Sequence, residues 1–327
     1  MPKKVYFRVD ANSSIGRGHI SRCDAVKDML LEHFQVYFVC LEKNRNFIDN
    51  LNLKVSVLYV ENEEEIFNML SNKDFVWLDG YDFTEDYKKK LKSTAFKLIE
   101  TNDIPYEAKN VDVILNHTPG IKSSQFGNTT AELHLGLGYT LLRKSFLKYA
   151  QQKTSSDVNE GDGVFICFGG ADHFNLGQKF VESLLHNDFK STIFWISKSN
   201  NNLKGYSKHK NLFVLESLSE KEMVKYMLMS KVLIIPSSVL SFEAMALRKP
   251  FFTCYFVDNQ KLIFNGLKDL GLAECFGYLD DYEDANIATN EFLEFFSDQR
   301  GQKLQVESQI NLLDGYSREN IIKILSN

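Results

Sequence analysis

Apolar runs alternate with helical patterns along this chain, and the alternation happens twice. "KVYFRV", "VYFVCL", "VSVLYV", "FVWLD", "FKLIE" and "VDVILN" read as strands buried on both faces. Between most of them lie helical patterns such as "EEIFNMLSN" and "TEDYKKKLKS". Alternation of this kind predicts a parallel sheet with helices on both sides. The pattern stops at "YAQQKTSSDVNEGDG", Tyr149 to Gly163, a polar stretch that reads as an interdomain linker. It then restarts with "VFICFGG", "STIFWIS", "NLFVLES", "KVLIIP" and "FFTCYF", separated by "KEMVKYMLMS" and "SFEAMALRK". The chain has 327 residues, more than one core usually supports. The expected organisation is α/β throughout, with one domain over 1–150 and a second over 163–304. An amphipathic tail, 305–327, is expected to return to the first domain.

Open parallel sheets bind ligands at the carboxyl ends of their strands, so the stretches at those ends carry the functional candidates. "GRGH", Gly16 to His19, lies where the first strand turns into a helix. Gly16 and Gly18 let the backbone approach a ligand, and free N–H groups at a helix start favour an anion. The helix dipole favours a neutral imidazole at His19, which can then accept a proton. Asp79 and Tyr81 follow the fourth strand in "VWLDGYDF", as either ligand contacts or turn residues.

Two further stretches lie in the second half. "CFGGADHFNLGQKF" is a strand, a paired-glycine turn at Gly169 and Gly170, and a helix start with Asn175 as the expected cap. It reads as a diphosphate turn or a tight structural turn. "IPSSVLSFEAMALRKP" opens a helix with Ser237, Ser238 and Ser241, whose hydroxyls can donate to phosphate oxygens. Glu243 can hold the two hydroxyls of a ribose, or it is a solvated member of a capping box. The acidic run "LDDYED" reads as a solvated loop, and no metal site is expected.

Composition removes several classes. A net charge of −5 with no basic cluster argues against a nucleic-acid surface. No stretch approaches 18 apolar residues, so no membrane insertion is expected. The N-terminus enters a strand at once, without a signal-peptide pattern. The five cysteines, Cys23, Cys40, Cys167, Cys254 and Cys275, form no C-x-x-C pair and read as reduced thiols of a cytoplasmic protein.

Taken together, the motifs resemble the UDP-sugar hydrolases of pseudaminic acid biosynthesis and the related SpsG-like polysaccharide biosynthesis proteins. "IGRGHISRC" is similar to that family's opening, "LLRKSF" to its segment before the linker, and "FGGADHFN" to its diphosphate turn. "SFEAMALRKP" followed by "VDNQ" is similar to its nucleotide- and sugar-binding region. The resemblance implies the GT-B architecture of two Rossmann-like domains. It also implies hydrolysis of UDP-2,4-diacetamido-2,4,6-trideoxy-β-L-altropyranose, or a close relative, to free sugar and UDP with inversion. It makes His19 the catalytic residue with Tyr81 beside it. Arg22, Asn116, Asp172, Asn259 and Gln260 join the substrate contacts already named. No cofactor is implied. In one departure, the family carries adjacent acidic residues after the fifth strand, whereas "IETNDIPY" keeps only Asp103. That leaves a different sugar open.

Three other readings share some of these features. A GT-B glycosyltransferase would use the same nucleotide site with a sugar or protein hydroxyl as acceptor. A non-catalytic module would bind UDP without turnover. A nicotinamide enzyme would read "GRGHIS" as G-x-G-x-x-G with Ser21 in the third position and Glu42 as the acidic partner.

Overall fold

A computed structural model describes residues 3–152, 161–169, 172, 174–197, 206, 208–280 and 282–326. The chain divides into two compact units, one running to Lys144 and resuming at Tyr316, the other running from Ser145 to Gly315.

The first unit is built on a seven-stranded parallel sheet in the order β3-β2-β1-β4-β5-β6-β7. Its strands are β1 (Lys4–Val9), β2 (Gln35–Leu41), β3 (Ser56–Val60), β4 (Phe75–Asp79), β5 (Lys97–Thr101), β6 (Val113–Asn116) and β7 (Glu132–Leu135). Helices α1 (Gly18–Leu30), α2 (Arg45–Asp49) and α3 (Glu85–Thr94) connect them. Central β4 is buried along its whole length, which explains its unbroken apolar run. Trp77 on it stacks on Phe7 and donates its indole N–H to Thr101 Oγ1 at 2.8 Å, so burial leaves no polar atom of that ring unpaired.

The second unit begins with α4 (Lys144–Gln151), whose first residue is the last of the first unit. Its six-stranded parallel sheet has the order β10-β9-β8-β11-β12-β13. The strands are β8 (Gly163–Ile166), β9 (Ile193–Ile196), β10 (Leu212–Leu215), β11 (Ser230–Pro236), β12 (Phe251–Tyr255) and β13 (Glu274–Tyr278). The helices are α5 (Leu176–His186), α6 (Glu220–Met229), α7 (Val239–Ala246), α8 (Lys261–Asp269), α9 (Tyr282–Ser297) and α10 (Gln299–Leu312). A core of Phe180, Trp195, Phe252 and Phe292 fills one side of the sheet.

The tail differs from the single 305–327 segment that the sequence suggests. α10 remains with the second unit because two buried amides bind backbone there. Gln305 Oε1 accepts from Phe251 N–H at 2.7 Å, and Gln309 donates to the Leu272 carbonyl at 3.0 Å. The chain breaks its helix at Gly315, and α11 (Ser317–Ser326) returns to the first unit. There Ile321 and Leu325 are fully buried, Asn320 donates to the Gly138 carbonyl, and Lys97 donates to that of Ile324. The helix expected over "EEIFNMLSN" is a 3₁₀ segment, Glu63–Asn68. Among the described residues, no helix is long and apolar enough to cross a membrane.

Candidate active site

In the first sheet, chain direction reverses its spread at β1 and β4: β2 lies on one side of β1 and β4 on the other. Such switch points open a crevice at the strands' carboxyl ends. Asp79, the last residue of β4, sits there between Val9 of β1 and Thr101 of β5. α1 starts beside it at Gly18. The preceding turn closes through Gly16 N–H to the Asn12 carbonyl at 2.8 Å, with Gly16 at φ +79°, a conformation that favours glycine.

Five charged or polar side chains from three different segments meet at this point. His19 Nδ1 lies 2.6 Å from Asp79 Oδ1. Arg22, one turn further along α1, donates through Nε to Asp79 Oδ2 and through Nη2 to Asp79 Oδ1, both at 2.6 Å. Its Nη1 donates to both oxygens of Asp103, at 2.7 and 2.8 Å. Tyr81 donates its hydroxyl to Asp103 Oδ2 at 2.8 Å, and its ring stands edge-on to His19 with centroids 4.8 Å apart. Below them Cys23 donates Sγ–H to Asp79 Oδ2 at 3.4 Å. His117, just after β6, lies 3.9 Å from Asp103 through Nε2.

Protonation states follow from these contacts. Burial alone pushes the carboxyls of Asp79 and Asp103 up. The Arg22 guanidinium, together with His19 at Asp79 and with His117 and Tyr81 at Asp103, more than offsets burial and holds both below the usual carboxylate range. Burial also works against the Arg22 charge, but Asp103 and Asp79 keep it fully ionised. Burial pushes His117 down to about 4, so this second histidine is neutral at pH 7. An ionised carboxylate is an acceptor only. At 2.6 Å from Asp79, His19 Nδ1 therefore carries the proton, since two lone pairs at that distance would repel. The tautomer is fixed, and Nε2 is the basic nitrogen. Asp79 already accepts from His19, Arg22 and Cys23, so its task is to hold the imidazole, not to take a proton itself.

The second sheet switches between β8 and β11. Gly169 follows β8 at φ +71°, with no atom of the described residues within 4 Å of where a Cβ would stand. Gly170 lies outside the described residues. Asp172 does what Asn175 was expected to do. Its carboxylate accepts from Leu176 and Gly177 N–H at 2.7 and 3.1 Å and so caps α5, while Asn175 is left-handed and makes no side-chain cap. An anion at α5 would face that carboxylate. α7 is different: Ser238 caps it, accepting from Leu240 N–H at 3.4 Å, and no acidic residue lies in its first turn. Ser237 shares a hydrogen bond with Thr253 at 2.9 Å, and Ser241 donates to the Pro236 carbonyl at 3.0 Å. Both serine side chains are buried and serve the turn. Glu243 is also buried, in the second turn of α7, rather than solvated. Asn259 is exposed, whereas Gln260 closes the turn after β12 by accepting from Phe256 N–H at 3.1 Å.

No protein-family model matches the chain. It is 30% identical over 272 residues to the UDP-2,4-diacetamido-2,4,6-trideoxy-β-L-altropyranose hydrolase of Campylobacter jejuni, covering 79% of this chain and 93% of that protein. The chain belongs to this hydrolase family. Solved structures share the fold at much lower identity. MurG of Acinetobacter baumannii superposes with a TM-score of 0.67 at 12% identity over 100% of both chains. Arabidopsis thaliana UGT89C1 superposes with a TM-score of 0.69 at 11% identity, over 100% of this chain and 99% of that one. The fold is GT-B, with two Rossmann-like parallel-sheet units.

In this hydrolase-family chain, His19, Arg22, Asp79 and Tyr81 are brought together, and the structure adds Asp103, His117 and Cys23 to them. Asn116 ends β6 one residue before His117. Its Nδ2 and the Thr118 hydroxyl are buried without a hydrogen-bond partner among the described residues. Position at a strand end was the available signal for Asp103 and His117, but nothing local to either ties them to Arg22.

Proposed function

We propose that the chain hydrolyses UDP-2,4-diacetamido-2,4,6-trideoxy-β-L-altropyranose, or a close relative, to the free sugar and UDP, and that it works in the cytoplasm. Membership of the hydrolase family supports the reaction. The observation that carries the mechanism is His19, whose Nδ1–H is committed to buried Asp79.

Water attacks the anomeric carbon while His19 Nε2 takes one of its protons. The bond between that carbon and the diphosphate oxygen breaks, and its electron pair leaves with UDP. Direct attack inverts the anomeric centre. Asp79 steadies the imidazolium that forms and keeps the ring in its tautomer, and Arg22 keeps Asp79 ionised. In the second unit, the α7 N-terminus and the turn at Gly169 offer N–H groups to the departing diphosphate. α7 is the better of the two helix starts, because Asp172 already neutralises that of α5. Glu243, Asn259 and Gln260 are the candidates for the nucleoside and sugar hydroxyls.

The test is UDP release from the pure protein with this UDP-sugar and no acceptor, followed by NMR of the anomer first formed. Rapid release with an inverted anomer is the expected result. Release that depends on an added sugar acceptor would make the protein a glycosyltransferase. UDP binding without turnover would make it a binding module.

A further inference from the structure

A cavity of about 310 Å³ in the second unit is lined by side chains of α4 and α6. None of its residues belongs to the turn at Gly169, to α7 or to the turn after β12, so it is separate from the nucleotide site proposed above. Three lysines line it: Lys148 from α4, and Lys221 and Lys225 from successive turns of α6. Val224 and Leu228 share that face of α6, and Tyr149 faces the same space from α4. The wall between the ammonium groups is therefore apolar or aromatic.

The fold makes no use of this charge. Lys221 and Lys225 are four apart on one helix, where like charges repel. None of the three lysines forms an ion pair among the described residues, whereas Lys27, Lys88, Lys92 and Lys303 each have one. The carboxylates in the first turn of α6 are engaged elsewhere. Glu220 accepts from Ser145 N–H at 2.5 Å, which ties α6 to the start of α4. Glu222 accepts from Ser219 N–H at 2.8 Å and from its hydroxyl at 2.6 Å. Ser219 is the chief cause that keeps the Glu222 carboxyl below its usual range, and Lys225 is a minor one.

We infer that this cavity is an accessory binding site for a phosphomonoester with an apolar or flat body. A phosphomonoester carries nearly two negative charges at pH 7 and three acceptor oxygens, one for each lysine. A carboxylate has a single charge and two oxygens, and would leave the cluster largely unneutralised. The body of the ligand lies on Val224, Leu228 and the Tyr149 ring. An occupant would join α4, on which the chain passes from the first unit to the second, more firmly to α6. The inference is independent of the hydrolase reading, because it uses none of the residues assigned to that reaction.

The experiment is a calorimetric titration of phenyl phosphate into the full chain, with UDP in slight molar excess so that the nucleotide site is filled. The native chain should bind phenyl phosphate, more tightly than inorganic phosphate and less tightly as salt is raised. Lys148→Gln should weaken binding about 2- to 5-fold, the worth of one exposed charge pair. The triple variant with Lys221→Gln and Lys225→Gln added should lose roughly 10- to 100-fold, the product of three such steps. UDP affinity and hydrolysis should stay near native in both, since the lysines are exposed and lie outside that site. Failure of the native chain to bind phenyl phosphate would overturn the inference, as would binding that the triple variant retains. Inorganic phosphate bound as tightly as phenyl phosphate would overturn the assigned ligand class. Binding to phosphatidylglycerol–phosphatidylcholine vesicles that falls in the triple variant, with no binding of phenyl phosphate, would overturn it in favour of a membrane contact.

Discussion

At the carboxyl ends of β4 and β5 the side chains are ionic and spend their charge on one another. At the carboxyl ends of β8 and β11 they are glycine and serine, and the polar groups available are largely backbone N–H. Both sets sit at the switch point of a parallel sheet, so topology does not explain the difference. Chemistry does. Moving a proton requires a base of fixed tautomer, and fixing it takes a buried carboxylate that must itself be kept ionised; hence Arg22 between Asp79 and Asp103. Holding a diphosphate requires donors without competing negative charge, and a serine-capped helix with no acid in its first turn meets that need. The α5 start, capped by Asp172, shows the alternative within the same unit.

The largest effect that would break this comparison is expected at Arg22. Arg22→Leu leaves two buried carboxylates without their cation. It should cost about 3–5 kcal/mol of stability in the first unit, the range for removing one partner of a buried ion pair. Hydrolysis should be lost along with it. Denaturant unfolding that showed a change under about 1 kcal/mol would mean the cluster is solvated in solution.

The next effect depends on pH and belongs to the same unit. His117 is held down to about 4 by burial, against an unfolded value of about 6.5. Between those values the unfolded chain binds the extra proton, so stability rises with pH and is lost as pH falls from about 6.5 to 4. The full swing is about 3 kcal/mol. Below pH 4 the depressed carboxylates of Asp79 and Asp103 act in the same direction, since their contribution disappears as they protonate. His117→Gln should flatten the slope between pH 4 and 6.5. An unchanged slope in that variant would move the pH sensitivity elsewhere.

The smallest effect is at the neutral end. Ser238→Ala removes the α7 cap and should cost about 1 kcal/mol of stability. It should weaken UDP binding several-fold while leaving the pH dependence of hydrolysis in place. A variant that altered the pH profile and spared UDP affinity would reverse the roles assigned to the two units.

Much of this fold is legible in the residues, and the failures have physical causes. Strands buried on both faces, such as β4 and β11, announce themselves as unbroken apolar runs. β7 and β13 escape the sequence because these half-exposed edge strands, "ELHL" and "ECFGY", carry no unbroken apolar run, whereas the edge strands β3 and β10 keep one. Asn175 looked like the α5 cap, but its left-handed backbone turns it away and Asp172 reaches back over the turn. His19, Tyr81 and Asp79 could be nominated from strand ends. The partners that give them a protonation state could not, because Arg22, Asp79, Asp103 and His117 come from four stretches that only the sheet order joins. The departure at Asn102 also gains a context. Its amide donates to Glu100 at 3.0 Å, and Glu100 also binds Lys88 and Tyr106, so this position serves a neighbouring buried pair and leaves Arg22 to Asp103.

The most direct measurement of the central claim separates proton handling from nucleotide holding in one variant. His19→Asn keeps a polar side chain at the start of α1 and removes the base. Hydrolysis of the UDP-sugar should fall roughly 10²–10⁴-fold, the usual worth of general base catalysis, while UDP affinity measured by calorimetry stays near native. Hydrolysis at near-native rate, or loss of UDP binding in step with activity, would contradict the account.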